Sequence, residues 1–145
     1  TAQDATKQQD GLTKSSVCEF VKQCGFYFIA TAEGDQPRVR PFGTMTLYEN
    51  RLYIQTSKQK YVAKQLKANP KIEICAYNQS SGEWMRIAAT TVADERIAAK
   101  KYILDQYPEL KSMYSPDDDK TLILYLKDVT VMLNSFAGET KTVKF

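Results

Sequence analysis

From Phe26 onward, apolar and polar residues alternate in short runs separated by turn residues, the period-two pattern of strands rather than the spacing of helices. Phe26 to Ala32 is aromatic and β-branched, Glu33-Gly34-Asp35-Gln36-Pro37 reads as a turn, and Arg38 to Tyr48 returns as the second arm of a hairpin. Glu49-Asn50 makes another tight turn into a third strand, Leu52 to Thr56. In Lys71 to Asn78, Ile72, Ile74 and Ala76 alternate with Glu73, Cys75 and Tyr77, and Gln79-Ser80-Ser81-Gly82 turns the chain back along Glu83 to Ala93. Thr121 to Leu126 and Val129 to Phe136 form a long final strand or a broken pair, with Gly138 closing the regular structure.

Helical spacing appears between these runs. A short helix starts near Leu12, with Ser15 or Ser16 as its cap and Glu19 at capping-box distance from Ser16; Val17, Phe20 and Val21 share a face, and Gly25 stops it. Tyr61 to Ala68 is a helix ended by Asn69-Pro70. Asp94 caps a third, from Glu95 to about Gln106, with Ala99, Tyr102, Ile103 and Tyr107 on one side and Pro108 as its stop. Met113 to Lys120 is a surface loop whose aspartates lack the alternating ligand spacing of a calcium loop. Six antiparallel strands with flanking helices predict a mainly β (α+β) domain, a small closed or partly closed barrel, because closure removes exposed strand edges. That domain spans residues 12–145, after a polar, flexible start at residues 1–11.

Composition adds limits. At 145 residues the chain suits one core. A net charge of +3 is too slight to argue for nucleic acid or an anionic membrane as the main partner. No apolar run has the length of a membrane span, and Thr1 to Lys14 lacks the apolar block of a signal peptide, so a cytoplasmic, reducing setting is expected. Cys18, Cys24 and Cys75 form no framework and read as free thiols, Cys75 as a small buried hydrophobe. The sequence contains no histidine, which removes histidine-based nucleophilic catalysis, the usual zinc sites and a histidine haem ligand; no metal site is expected. Chemistry here needs other side chains or a bound cofactor.

Two cationic clusters then stand out. Alternation puts Arg38 and Arg40 on one strand face and Val39 on the other, and Tyr53-Ile54-Gln55-Thr56-Ser57 runs into Lys58-Gln59-Lys60 at a helix start, which is expected to set the two clusters on neighbouring strands. A phosphate dianion needs fixed cations and free backbone N–H groups, and a lysine turn opening a helix offers both. On spacing alone, Arg38 and Arg40 also read as solvated strand residues, and Lys64, Lys67 and Lys71 as the wet face of an amphipathic helix.

Four segments in this order, Gln36 to Phe42, Gln65-Leu66-Lys67-Ala68-Asn69-Pro70, Ile72 to Ala76 and Trp84-Met85-Arg86-Ile87, resemble the FMN-binding split barrel of pyridoxamine 5'-phosphate oxidase and its short relatives, some grouped with nitroimidazole-resistance proteins. The likeness covers roughly Gly25 to Phe145. It implies a six-stranded antiparallel split barrel and a homodimer with FMN, or a deazaflavin, between subunits. By the same resemblance, Arg38, Val39, Arg40, Pro41 and Phe42 flank the flavin ring, Gln55, Thr56 and Ser57 line its ribityl edge, and Lys58 and Lys60 face the phosphate. Trp84 reads either as a cofactor contact or as a core or interface anchor. The true oxidase continues past the barrel into a segment with substrate-binding arginines, whereas this sequence ends soon after Gly138; Ala89 stands where relatives often carry glycine.

The expected function is therefore an FMN-dependent oxidoreductase of a small electron-poor or heterocyclic substrate, with NADH or NADPH as a candidate donor and no catalytic residue named. A flavin-binding protein with little turnover is the alternative. A barrel for single-stranded nucleic acid ranks last, since no clustered aromatic and basic face is visible.

Overall fold

A computed structural model describes residues 11–145, so all but the last residue of the expected flexible start lies outside the described residues. In chain order the elements are α1 (Lys14–Cys24), β1 (Tyr27–Glu33), β2 (Gln36–Phe42), β3 (Thr46–Tyr48), β4 (Arg51–Ser57), α2 (Tyr61–Ala68), β5 (Lys71–Asn78), β6 (Glu83–Ala93), α3 (Ile97–Gln106), a 3-10 turn (Pro108–Ser112), β7 (Thr121–Ser135) and β8 (Thr140–Lys144).

All strand pairs are antiparallel, in the order β2-β1-β5-β6-β7-β4-β3, with β8 added to β7. The two end strands of this path, β2 and β3, are consecutive in the chain and joined by Gly43-Thr44-Met45. That short link curls the sheet. It is fixed from both sides: Tyr27 Oη donates to the Thr44 carbonyl, the Gln55 N–H donates to Thr44 Oγ1 at 3.0 Å, and Tyr107 Oη accepts from Met45 N–H at 2.9 Å while donating to Met45 O at 2.8 Å.

The inward positions of every long strand meet in one core. Ile29, Ile54, Ile74, Met85, Ile87 and Val131 are fully buried, and α1 adds Val17, Cys18 and Val21. A second apolar cluster, with Tyr53, Ala99, Ile103 and Ile123, seats α3. Beside it Asp94 accepts from Tyr53 Oη at 2.7 Å and from Arg96 Nη2 at 2.9 Å, while Arg96 also reaches Glu49.

The antiparallel, mainly β class stands, with eight strands instead of six. The stretch from Arg38 to Tyr48 divides, because the chain must leave one flank of the sheet at Phe42 and rejoin the other at Thr46. Gly138, with φ of +89°, does not end the structure; it turns the chain into β8. β7 is a single strand with a bulge where Ala88 pairs Thr130 and Thr90 pairs Lys127. Ala89, buried, occupies that register shift, and Val129 exchanges backbone bonds with Phe145.

Local ends shift too. Thr13, not Ser15 or Ser16, caps α1, and Ser16 closes the box by returning its hydroxyl to the Thr13 N–H. α3 begins at Ile97 because Asp94 is committed to Arg96 and Tyr53 and does not cap the helix. Cys75 is exposed, since strand alternation that buries Ile74 and Ala76 turns it outward. Asp118 holds the loop before β7 by accepting from the N–H groups of Ser115, Lys120 and Thr121; partial burial opposes its charge, but these donors keep the carboxyl below its usual range.

Candidate functional site

β2 and β4 are not sheet neighbours, so the expected adjacency of the two cationic clusters fails at the level of strands. α2 restores it. This helix packs back against β1 and brings Lys60 and Tyr61 over Arg38, Val39 and Arg40, leaving an open cleft of about 780 Å³.

The cleft has a hydrogen-bonded floor. Arg40 Nη1 donates to Thr31 Oγ1 at 2.8 Å and to the Ile29 carbonyl at 3.2 Å, and Nη2 donates to Gln65 Oε1 at 2.6 Å. Thr31 Oγ1 donates to the same Gln65 oxygen, and Gln65 Nε2 donates to Glu33 at 3.4 Å. Arg38 bonds Glu33 through Nε and Nη2, at 3.3 and 2.9 Å. The guanidinium of Arg38 holds the Glu33 carboxyl below its ordinary range.

Arg40 is different: its partners are neutral oxygens, and among the described residues no carboxylate pairs with it. Burial, and then repulsion from Arg38, push its pKa below the usual arginine value. An anion in the cleft would relieve both. The N-terminus of α2 faces the same need, because Lys60 at the cap makes no side-chain cap bond and, in the first turn, the Ala63 N–H is taken by the Lys60 carbonyl at 3.1 Å while no side chain caps the others. Lys60 likewise forms no ion pair among the described residues. Apolar walls come from Val39, 67% exposed, and Tyr61, 76% exposed.

The cleft thus joins Arg38, Val39, Arg40 and Lys60. The other sequence-predicted positions lie elsewhere in the chain. Phe42 is buried against Tyr27, and Pro41 is exposed on β2. Gln55, Thr56 and Ser57 are buried in β4, where Gln55 Nε2 bonds the Thr56 carbonyl and Ser57 Oγ accepts from the Gln59 N–H. Lys58 turns to the other side of α2 and pairs with Glu95 at 2.9 Å. Trp84 sits at the Asn134 end of β7, against Phe136 at 4.9 Å, whereas Lys58 follows the Thr121 end. Sequence reasoning missed Glu33, Tyr61 and Gln65. A signal existed for Tyr61 and Gln65: they stand at i and i+4 of a helix that begins at the lysine turn.

This chain belongs to the pyridoxamine 5'-phosphate oxidase family, whose profile matches residues 14–127. It is 41% identical to a NimC/NimA family protein from Clostridium acetobutylicum, with a TM-score of 0.86 over 90% of this chain and 91% of that one. Two more distant structures share the fold. One is a pyridoxamine 5'-phosphate oxidase-related, FMN-binding protein from Nostoc punctiforme, 16% identical, with a TM-score of 0.65 over 91% of this chain and 96% of that one. The other is a heme-binding protein from Mycobacterium smegmatis, 14% identical, with a TM-score of 0.64 over 88% of this chain and 56% of that one. No curated protein matches the chain. None of its described helices is long and apolar enough to cross a membrane.

Proposed function

We propose that this chain is an FMN-binding oxidoreductase that works as a homodimer on a small electron-poor or heterocyclic substrate. The observation that carries this reading is Arg40: a partly buried guanidinium that no carboxylate pairs among the described residues, in a cleft that also holds Lys60 and a helix N-terminus without a side-chain cap. These groups fit a phosphate dianion, whose charge would be met by Arg38, Arg40 and Lys60 and by first-turn N–H groups. Val39 and Tyr61 offer an apolar wall to a planar ring. FMN would supply hydride transfer, chemistry that side chains do not provide. Glu33, the one acid in the cleft, is held charged by Arg38 and therefore serves as an anchor rather than a proton donor. That same fact favours the second reading, a flavin-binding protein with little turnover.

The homodimer has its own support. Strand register puts Val39, Phe28, Cys75, Tyr77 and Trp84 on the same outer face of β2, β1, β5 and β6. Phe28 and Tyr77 stay half-exposed there, and Val39 more so. A second copy covering this face would bring its own residues beside Val39 and close the open cleft; Trp84 then has a role either as anchor or as a contact to the partner's cofactor.

The test is spectroscopic. Purified protein mixed with FMN and gel-filtered is expected to carry about one flavin per chain in a dimer-sized fraction, and NADH or NADPH to bleach it. Colourless protein overturns the flavin reading. Yellow protein that neither donor bleaches supports the low-turnover reading.

A further inference from the structure

α2 has a second side that the flavin reading does not use. Tyr61, Val62 and Gln65 face the cleft described above, while Ala63, Lys64, Leu66 and Lys67 line a separate groove of about 490 Å³ against β6 and β7. Its floor is aliphatic, from Ala63, Leu66, Leu122 and Leu124. Its rim is cationic, from Lys58, Lys64 and Lys67.

Glu95 is the one acid in the groove, and its charge is already claimed. Lys58 Nζ and Lys100 Nζ both reach its Oε2, at 2.9 and 3.3 Å, and the Lys100 side chain is only 6% exposed. Lys64 and Lys67 have no carboxylate partner among the described residues; Lys64 Nζ lies 5.6 Å from the centre of the Tyr61 ring instead. An excess of cations therefore surrounds an apolar trough of ordinary ligand size. The lining contains no aromatic ring or side-chain amide that would stack on or read a base, so neither a nucleotide nor a nucleic acid matches it.

We infer that this groove is a second binding site, distinct from the flavin cleft, for a small amphiphilic anion: a carboxylate or phosphate head held by Lys64 and Lys67, with a compact apolar body on Leu66, Leu122 and Leu124. Charge complementarity selects the head and the aliphatic floor selects the body. The helix between the two sites is shared, but the inference stands whether or not flavin binds on the other face.

The experiment is calorimetric titration of the full chain with decanoate, octyl phosphate and the uncharged decanol, all below their aggregation limits, with and without FMN. Saturable binding of one anion per chain is expected, with decanol failing to bind; the stronger of the two anions identifies the head group. In K64E/K67E, binding is expected to weaken about tenfold or more, since two favourable charge contacts become repulsive. K64A/K67A should give a smaller loss in the same direction. Both side chains are exposed, so equal thermal midpoints would show intact folding. K60A should leave anion binding unchanged. The inference is overturned if no anion saturates, if decanol binds equally well, if K64E/K67E binds as the parent does, or if FMN or K60A abolishes binding.

Discussion

Arg40 on β2 and Gln65 on α2 are joined by a 2.6 Å hydrogen bond from Nη2 to Oε1, and this bond fixes the helix over the strand while, among the described residues, no carboxylate pairs the guanidinium. Gln65→Glu would supply that charge at nearly the same shape. The variant is expected to bind FMN about tenfold or more weakly, because a buried carboxylate would pair Arg40 and repel a phosphate. The new pairing with Arg40 offsets the lost Gln65 bond to Glu33 and the repulsion between the two carboxylates, so stability at neutral pH should change little. Flavin fluorescence titration with urea unfolding checks both; undiminished affinity would remove Arg40 from the phosphate site.

The two lysines flanking the start of α2 point to different sides. Lys60→Ala is expected to weaken FMN by roughly 1 to 2 kcal/mol, the scale of one charge-assisted contact. Lys58→Ala should change it less than twofold, roughly, because Lys58 is engaged with Glu95 in the other groove. The same titration decides, and the reverse order would place the phosphate on the Lys58 side.

Val39, Phe28 and Tyr77 share one outer face. Phe28→Asp should leave the fold intact, since the side chain is 53% exposed, yet shift the protein toward monomer in sedimentation velocity. FMN affinity should drop with it. A dimer that survives the substitution would locate the interface elsewhere.

Tyr107 grips the crossing segment by both the N–H and the carbonyl of Met45. Tyr107→Phe removes both bonds at once and is expected to lower stability by about 1 to 3 kcal/mol, the range for partly buried polar groups left unpaired. Urea denaturation measures it. Loss of less than a few tenths would mean that water replaces the hydroxyl without penalty.

Asp94 sets a pH dependence of known sign. Hydrogen bonding from Arg96 is the main reason its pKa falls to about 2, from an ordinary 3.8, with the Tyr53 hydroxyl helping against the effect of burial. A carboxyl whose pKa is depressed by folding stabilises above its unfolded pKa and loses that contribution as pH falls through the folded one. For a side chain 6% exposed, about 2 kcal/mol is the order expected, lost between about pH 4 and pH 2. Asp94→Asn should be destabilised at pH 7 and should show a shallower decline across that window, measured by chemical unfolding at each pH.

Stops and turns were the part of the fold most readable from residues alone. Gly25, with φ of +78°, ends α1, Asn69 ends α2, and the alternation of Ile72, Ile74 and Ala76 places β5. Those signals are local, and local chemistry decided them. The break at Gly43 to Met45 was not readable, because Thr44, Met45 and Thr46 suit a strand and only the need to cross between sheet ends interrupts it. β8 was hidden for a similar reason: Thr140 to Lys144 has little to bury and is ordered by pairing with β7. At the site, residue type foretold the cations but not their direction. Lys58 and Lys60 differ by two positions, and the turn between β4 and α2 sends them to opposite sides. Helical spacing put Gln65 beside Tyr61, but not whom it meets, Arg40 and Thr31, across the fold.

One edge of β7 changes partner along its length: Thr121 to Tyr125 pair with β4, and Thr130 to Asn134 pair with β8. The second partnership is a hairpin between near neighbours in sequence, while the first joins Tyr53 to Tyr125 across about half the length of the chain. Loop closure makes distant pairings slow to form, so the halves of this strand should be acquired at separate times during folding. Pulse-labelled hydrogen exchange is expected to protect the amide of Leu133, which faces β8, before that of Leu122, which faces β4; simultaneous protection would show that the strand forms as a unit. The meeting of β4 with β7 is then expected last, and the groove that α2 forms with Leu122 and Leu124 of β7 exists only once that seam has closed.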